Sequence, residues 1–305
     1  MQLIGDIGGT KTLLALVDER GQIRRKRRFA SAEFASFADL LAEYLRGLDA
    51  PLKGGCLAVA GPIDADGRAA KVTNLPWRID CAALEARFRL ARLTLLNDFA
   101  AVALGIAALP DEACLTLQPG RPPAEGVKLA LGAGTGLGMA ILAHGRVLPS
   151  EAGHVGFSPQ DEAQQRIHAA LLREQGRVTA EKVISGPGLE NIHRILAGET
   201  LDAPQIVAQA RQGGLAARES LAVFFSAYGA FAGDMALAAL ALGGVYLAGG
   251  VTWHLLPELP QSGFLAAFNA KAEHAELVRR IPVRAVTDAE IGLEGAAALA
   301  RQTFL

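Results

Sequence analysis

The sequence predicts a duplicated α/β fold with two domains, and three observations support this prediction. The chain has 305 residues, a length that suits two domains with substantial cores. An apolar strand, a glycine turn with threonine and a second strand occur in this order at residues 3–23 and again at residues 129–148. A later strand that begins Gly-Gly and ends Ala-Gly also occurs twice, in "GGCLAVAGPI" from Gly54 and in "GGVYLAGGVT" from Gly243. Two matches in the same order indicate an internal repeat.

Composition argues against several classes of protein. Thirty basic and 31 acidic residues nearly cancel, and the short run "RRKRR" at Arg24–Arg28 predicts the exposed edge of a hairpin and no nucleic-acid surface. The three cysteines are far apart and include no C-x-x-C pair, which indicates neither a disulfide framework nor a cysteine zinc site. The N-terminal "MQLIGDIGGTKT" is unlike a signal peptide. We therefore expect a cytoplasmic protein.

One long apolar segment resembles a membrane span. Residues 221–251 have a span-like length, but Asp234 lies near the centre and Gly243–Gly244 interrupts the run. The segment therefore predicts a buried helix followed by a core strand, with no membrane partner. We expect Asp234 to pair with a backbone or hydroxyl group in the core.

The two glycine-rich hairpins are candidates for phosphate binding, although ordinary tight hairpins also need glycine. "GDIGGTKT" is not a Walker loop, because Lys11 and Thr12 lead into a strand and not into a helix. "GAGTGLG" is not a dinucleotide fingerprint, because Leu137 occupies the place of the third glycine. The remaining interpretation is a phosphate site built between two hairpins. In it Asp6 can hold Mg²⁺ through water, and Thr10 or Lys11 can reach a terminal phosphate.

The stretch "LTLLNDFAAVALG" places Asn97 and Asp98 between a strand pattern and a helix pattern. Either residue could cap the helix, and on that interpretation Asp98→Ala costs only about 1 kcal/mol of stability. Asp98 could also act as a general base that accepts the proton of an attacking hydroxyl. The two roles are compatible.

The segment "EAGH" supplies Glu151 and His154 within a glycine-rich stretch. One glutamate and one histidine make only half a zinc shell, and no nearby motif completes it. A carboxylate that accepts hydrogen bonds and an imidazole that can donate them suit the adjacent hydroxyls of a sugar.

These blocks together resemble a known family. "GDIGGTKT", "GAGTGLG" and "LAGGV" are similar to the two phosphate motifs and the adenosine motif of the sugar kinase, actin and Hsp70-like ATPase superfamily. "LLNDFAAVALGI", "LPSEAGHVGF" and "EKVISGPGLENIHRIL" resemble the bacterial ATP-dependent glucokinases, in the family's order from residue 3 to about 297.

The resemblance implies a two-lobed actin-like ATPase fold, related to ribonuclease H, with duplicated mixed sheets and a central cleft. It implies that Asp98 is the catalytic base and that glucose is bound by Asn97, Asp98, Glu151, His154 and Glu181. It implies that ATP, with Mg²⁺, is bound by Gly5, Asp6, Gly8, Gly9, Thr10, Lys11, Gly134, Thr135, Gly136, Gly249 and Gly250.

Two departures from the family pattern concern these loops. Ser150 and Ala152 flank Glu151 where the family more often has glycines, and Lys11 replaces a frequent asparagine. Lys11 makes the first loop similar to that of the repressor and sugar-kinase group, which usually carries a cysteine zinc motif after E-x-G-H. No cysteine follows here, so the glucokinase resemblance is preferred.

The expected activity is phosphorylation of glucose at the 6-hydroxyl. A kinase for another hexose, such as mannose or fructose, is one alternative, and a non-catalytic sugar-sensing regulator on the same fold is another. The regulator would carry a DNA-binding segment, and no helix-turn-helix pattern precedes the first strand. We expect a small lobe of residues 1–108 with 289–305, a large lobe of residues 109–288, and a homodimer.

Overall fold

The computed structural model describes residues 1–48 and 51–304. The chain forms two compact units, one made of residues 1–109 with the residues from 290 onward, the other of residues 110–289. We call them unit 1 and unit 2.

Unit 1 begins with the predicted glycine hairpin. Strand β1 (Gln2–Ile7) pairs antiparallel with β2 (Lys11–Val17), and β3 (Ile23–Ala30) continues the meander. Strands β4 (Gly55–Val59) and β7 (Leu93–Asn97) then join in parallel, which gives the order β3-β2-β1-β4-β7. A small ribbon of β5 (Ala69–Lys71) and β6 (Arg78–Asp80) lies outside this sheet.

Helices cover both faces of the unit 1 sheet. One core joins the sheet to α1 (Phe37–Leu45) and α2 (Cys81–Phe88), with Trp77 buried among them. Helix α3 (Asp98–Ala108) packs on α11 (Ile291–Phe304), which also contacts β1, β2 and β4. The C-terminal segment predicted to be helical forms α11, which packs within unit 1.

The basic run lies on an edge strand, as predicted. Strand β3 is at the end of the sheet, and Arg24 pairs with Asp18 at 3.1 Å while Lys26 and Arg28 both pair with Glu290. Local ion pairs and solvent therefore account for the charge of this strand.

Unit 2 repeats the strand arrangement of unit 1. Strands β9 (Lys128–Ala133), β10 (Leu137–Ala143) and β11 (Arg146–Ser150) form an antiparallel meander. Strands β12 (Gly244–Ala248) and β13 (Val283–Val286) join in parallel, and β8 (Cys114–Gln118) closes the order β11-β10-β9-β12-β13-β8. The same order of three antiparallel strands and two parallel ones confirms the duplication predicted from the sequence.

The helices of unit 2 are α4 (Glu162–Gln175), α5 (Gly186–Ala197), α6 (Ala203–Arg211), α7 (Leu215–Ala238), α8 (Gly250–His254), α9 (Phe264–Asn269) and α10 (Ala275–Arg279). Helix α7 is at the centre and packs against α5, α6 and α9. It is long and apolar enough to cross a membrane, yet 67% of its most apolar 18-residue window is buried within the protein. The helix is therefore a core element, followed by the core strand β12 as predicted.

The predicted partner of Asp234, a backbone or hydroxyl group, was wrong. The Lys271 ammonium lies 2.6 Å from the Asp234 carboxylate and also donates to the carbonyl of Ala230 at 2.8 Å. Lys271 is almost fully buried, so the pairing compensates the cost of placing its charge there. A lysine distant in sequence, and not a backbone or hydroxyl group, neutralises the aspartate.

Helices α3 and α11 cross so closely that only glycine fits at the contact. A β-carbon at Gly295 would lie 1.8 Å from the Ala101 carbonyl oxygen, and one at Gly105 would lie 2.4 Å from that of Ile291. A larger residue at either position would therefore push the two helices apart.

Gly295→Ala therefore tests this packing. Alanine usually stabilises a helix relative to glycine, but here we expect a loss of about 2–3 kcal/mol in the free energy of unfolding. Urea denaturation measures the loss. Gly263→Ala is the control, because a β-carbon there meets no atom within 4 Å. An alanine variant at 295 as stable as the parent would contradict the close crossing.

Candidate functional site

The site residues of unit 1 lie at one edge of its sheet. Strands β1, β4 and β7 are parallel and in register, so that Ile7, Val59 and Asn97 form a row at their carboxyl ends. The glycine turn follows Ile7, and Asp98 follows Asn97. Neighbouring strands are about 4.8 Å apart, so the turn and the Asn97–Asp98 pair are about 10 Å from each other.

The first glycine turn, Gly8–Thr10, is supported from below by Ser31. The Ser31 hydroxyl donates to the Gly8 carbonyl at 2.8 Å, and its amide donates to the carbonyl of Thr10 at 3.1 Å. Gly9 is required because a β-carbon there would lie 2.7 Å from the carbonyl oxygen of Thr73. The side chains of Thr10 and Lys11 are exposed, as ligand-binding groups must be.

Asp6 lies beneath this turn, on the sheet face that α11 covers. A β-carbon at Gly292 in the first turn of α11 would be 3.3 Å from the Asp6 carboxylate, so the glycine leaves room for it. Burial raises the pKa of the Asp6 carboxyl, and the nearby Lys11 opposes part of that rise. A carboxylate in such surroundings gains stability from a neighbouring cation.

Asn97, and not Asp98, caps helix α3. The Asn97 side-chain oxygen accepts from the amides of Phe99 at 2.9 Å and Ala100 at 3.2 Å. Asp98 is the first helical residue, half-buried, and its Oδ1 accepts from the Phe99 amide at 2.9 Å. The capping role considered for Asp98 is thus filled by its neighbour, and the amide nitrogen of Asn97 remains as its donor toward a ligand.

The site residues of unit 2 converge on Leu137, the residue that ends the second glycine turn, Gly134–Gly136. The Leu137 amide donates to Oε2 of Glu181 at 2.9 Å. Its carbonyl faces Gly153 of the "EAGH" segment, where a β-carbon would lie only 2.0 Å from the oxygen. Strand β10 therefore brings the second turn, the "EAGH" segment and Glu181 together.

Glu151 and His154 belong to the short 3-10 turn that follows β11. Both side chains are exposed, by 79% and 59%, and the His154 Nε2 lies 3.9 Å from the Glu151 Oε2. Arg177 donates to the carbonyl of His154 at 3.2 Å, and the Ala180 amide donates to that of Val155 at 2.9 Å. The turn is thus fixed by its backbone while its polar side chains point to solvent, where they can bind hydroxyl groups.

The Gly249–Gly250 turn lies beside the second glycine turn. Gly249 has a φ of +93°, and a β-carbon there would lie 2.5 Å from the carbonyl oxygen of Ala133. A β-carbon at Gly134 would be 3.7 Å from the Gly250 amide nitrogen. The structure therefore places the second phosphate motif and the adenosine motif side by side.

Ser31, Arg177 and Ser185 support these turns, and none of the three was among the residues predicted from the sequence. Ser185 caps α5, accepting from the Gly188 amide at 2.9 Å. The sequence does contain a pattern that identifies Ser185 as a helix cap, because a serine before Gly-Pro is typical of a helix start. Ser31 and Arg177 bind backbone carbonyls distant in sequence, which no local pattern indicates.

A metal cage made entirely of protein side chains is absent from the part of the chain that the structure describes. Residues 1–48 and 51–304 contain no group of three or more His, Cys, Asp or Glu side chains placed to hold an ion. Mg²⁺ is commonly bound by one or two carboxylates together with phosphates and water. A single carboxylate such as Asp6 suits that mode.

Asn97→Ala is expected to lower the free energy of unfolding by about 1 kcal/mol, because the N-cap of α3 is lost. Asn97→Asp is the matched control, since aspartate is an equally good cap. Thermal and urea denaturation measure both variants. Equal loss in the two variants would show that the cap has no part in stability.

The raised pKa of Asp6 gives stability a pH dependence of known sign. A carboxyl with a higher pKa in the folded state than in the unfolded state costs stability as the pH rises through the folded value. Asp6→Asn removes that cost, so the variant without ligands is expected to melt at a higher temperature near about pH 7.5. The difference should shrink toward about pH 4.

Asp18→Asn is the control of opposite sign. Hydrogen bonds, the largest from the Gln22 amide, lower the pKa of Asp18, so its ionised form stabilises the protein above the ordinary pKa. That variant is expected to melt lower at neutral pH. Scanning calorimetry across the pH range compares the two, and a destabilised Asp6→Asn protein at neutral pH would contradict the burial cost.

Comparison with known proteins agrees with this geometry. A family model described as Glucokinase matches residues 3–303. The chain is 37% identical over 317 aligned positions to a glucokinase of Yersinia pestis, covering 98% of this chain and 96% of the relative.

Solved structures agree in fold. A glucokinase from an Antarctic psychrotroph is 32% identical, with a TM-score of 0.86 over 99% of this chain and 98% of the other. A ROK family glucokinase from Streptomyces griseus, solved with glucose and AMPPNP, is 22% identical, with a TM-score of 0.70 over 99% of each chain. These similarities confirm the predicted actin-like ATPase fold.

Proposed function

Because the chain belongs to the glucokinase family, we propose that it transfers the γ-phosphoryl group of ATP to the 6-hydroxyl of glucose. The products are glucose 6-phosphate and ADP. The observation that carries the proposal is the convergence on Leu137, where sugar-binding side chains and a phosphate-type glycine turn meet within unit 2. Kinases need both functions close together, because the transferred group passes between the two ligands.

Asp98 is the proposed general base. It is half-buried at the first turn of α3, directly after the carboxyl end of β7. Its carboxylate accepts the proton of the attacking hydroxyl as the oxygen bonds to phosphorus. Asn97 donates from its amide nitrogen to a sugar hydroxyl, since its oxygen is bound to the helix.

Glu151, His154 and Glu181 are the proposed sugar ligands of unit 2. Carboxylates accept from hydroxyl protons, and the imidazole can donate or accept, so the set suits a vicinal polyol. The fixed backbone of the "EAGH" turn holds two of them, and the contact with Leu137 holds the third. Preorganised ligands of this kind orient the hydroxyl that reacts.

The nucleotide is proposed to bind through backbone amides of the glycine turns. In unit 1 the turn is Gly8–Lys11, and in unit 2 the turns are Gly134–Gly136 and Gly249–Gly250, whereas Gly5 is buried inside β1. The Gly8 and Gly134 amides already donate within their turns, to the carbonyls of Lys11 and Gly136, so other amides of the turns are proposed to contact the phosphates. Asp6 is proposed to hold Mg²⁺ through water, and the ion would neutralise charge on the phosphates when bound. Its raised pKa supports this role, because a cation offsets the cost of ionising the buried carboxyl.

Asp98→Asn is expected to lower kcat by about 100-fold or more, because the general base is lost. Glucose affinity should stay within about threefold, since asparagine keeps the size and a hydrogen-bonding oxygen. A coupled assay of ADP release measures kcat, and calorimetry measures glucose binding.

The melting temperature of Asp98→Asn distinguishes a loss of kcat from misfolding. Asn97 carries the helix cap, so Asp98→Asn should melt near the parent temperature. A fully active Asp98→Asn protein would contradict the base assignment. A panel of glucose, mannose and fructose in the same assay tests the proposed sugar, and faster turnover of another hexose would replace glucose with that sugar.

A cytoplasmic location and a homodimer remain predictions. Cys56 and Cys81 are buried thiols that form no disulfide, as is usual in a reducing compartment. Leu215 and Leu240 of unit 2 are exposed by 81% and 52% and are available for an interface.

A further inference from the structure

Glu181 contacts the second glycine turn as well as facing solvent with part of its side chain. Its Oε2 accepts from the Leu137 amide at 2.9 Å, although the two residues are 44 positions apart. Five residues after Glu181, the Gly186 amide donates to the carbonyl of Gly134 at 2.9 Å. Residues 181–186 thus bind the Gly134–Gly136 turn at both of its ends.

A side chain at Gly136 would have to displace the Glu181 carboxylate. A β-carbon there would lie 2.4 Å from the Oε2 of Glu181 and 3.2 Å from its carboxyl carbon. The carboxylate therefore lies directly against the backbone of the turn. Any movement of one changes the surroundings of the other.

The backbone of Glu181 is held from the side opposite the turn. The buried Ser185 hydroxyl donates to the carbonyl of Glu181 at 2.7 Å and accepts from the Gly188 amide at 2.9 Å. A β-carbon at Gly188 would lie 2.4 Å from the carbonyl carbon of Val183, so this loop is tightly folded onto the start of α5. Glu181 is consequently fixed to a helix and not carried on a loose loop.

We propose that Glu181 is a positioning residue for the nucleotide as well as a sugar ligand, and that it couples the binding of glucose to the binding of ATP. The inference rests on the proposed function, which makes Glu181 a sugar ligand and the turn a phosphate ligand. One carboxylate oxygen fixes the Leu137 amide, and a sugar hydroxyl that donates to the other oxygen immobilises the same carboxylate. Each ligand then favours the arrangement that the other requires, and the coupling is reciprocal.

The first test measures nucleotide binding without sugar. Calorimetry with AMPPNP and Mg²⁺ is expected to give about tenfold weaker binding for Glu181→Ala, which is the loss of one charge-assisted hydrogen bond. Glu181→Gln keeps an oxygen that accepts from the Leu137 amide and should restore binding to within about twofold. Glu219→Ala is the matched control, since it removes an exposed glutamate of α7 that is outside the residues proposed to bind either ligand.

The second test measures glucose binding without nucleotide. Gly136→Ala displaces the Glu181 carboxylate and is expected to weaken glucose binding by about tenfold or more. Gly156→Ala is the matched control, because a β-carbon there meets no atom within 4 Å and the residue lies outside the proposed binding turns. It should bind glucose as the parent does.

Two results would overturn the proposal. One is a Glu181→Ala protein that binds AMPPNP as tightly as the parent, and the other is a Gly136→Ala protein that binds glucose as tightly as the parent. Failure of the proposed function would look different, because the parent protein itself would then fail to bind glucose or to release ADP with it. Melting temperatures of all variants separate either result from unfolding.

Discussion

Close approach of backbone to backbone is the constraint on which the rest of this structure depends. At Gly153 and Gly249 in unit 2, and at Gly295 in unit 1, a carbonyl oxygen occupies the space that a β-carbon would need. These contacts bring the "EAGH" segment to β10, the adenosine-type turn to β9, and the last helix to α3. A side chain at any of them would push apart the elements that carry the polar groups, because cores at native density cannot absorb such a displacement.

The charged candidate residues of the two units differ in their surroundings. Asp6 is half-buried beneath its turn, and desolvation raises its pKa, so ionisation there costs stability that a bound cation would return. Glu151 and His154 are exposed and their backbone is fixed, so their presence costs little folding energy. The energetic cost of charge therefore falls on Asp6, the proposed Mg²⁺ ligand, while the proposed sugar ligands Glu151 and His154 stay hydrated in the protein without ligands.

Much of the fold and the placement of most site residues could be predicted from the sequence. The hairpins, the core helix and the C-terminal helix have strong local signals in glycine turns and apolar periodicity. What could not be predicted are partners that lie far apart in the chain, such as Lys271 for Asp234 and Glu181 for the Leu137 amide. Which of Asn97 and Asp98 caps α3 depends on the residue at which the helix begins, and propensity does not resolve a difference of one residue.

The cap at Asn97 also fixes the direction of hydrogen bonding at the carboxyl end of β7. With its oxygen committed to two helix amides, the Asn97 amide group cannot rotate by half a turn without breaking both bonds. It therefore presents hydrogen atoms only, and a hydroxyl that meets it must offer a lone pair. The proton of that hydroxyl then points elsewhere, and the adjacent Asp98 carboxylate is the acceptor that follows in the chain. Under the proposed mechanism, the helix cap would thereby set the orientation of the sugar hydroxyl and the direction in which its proton leaves.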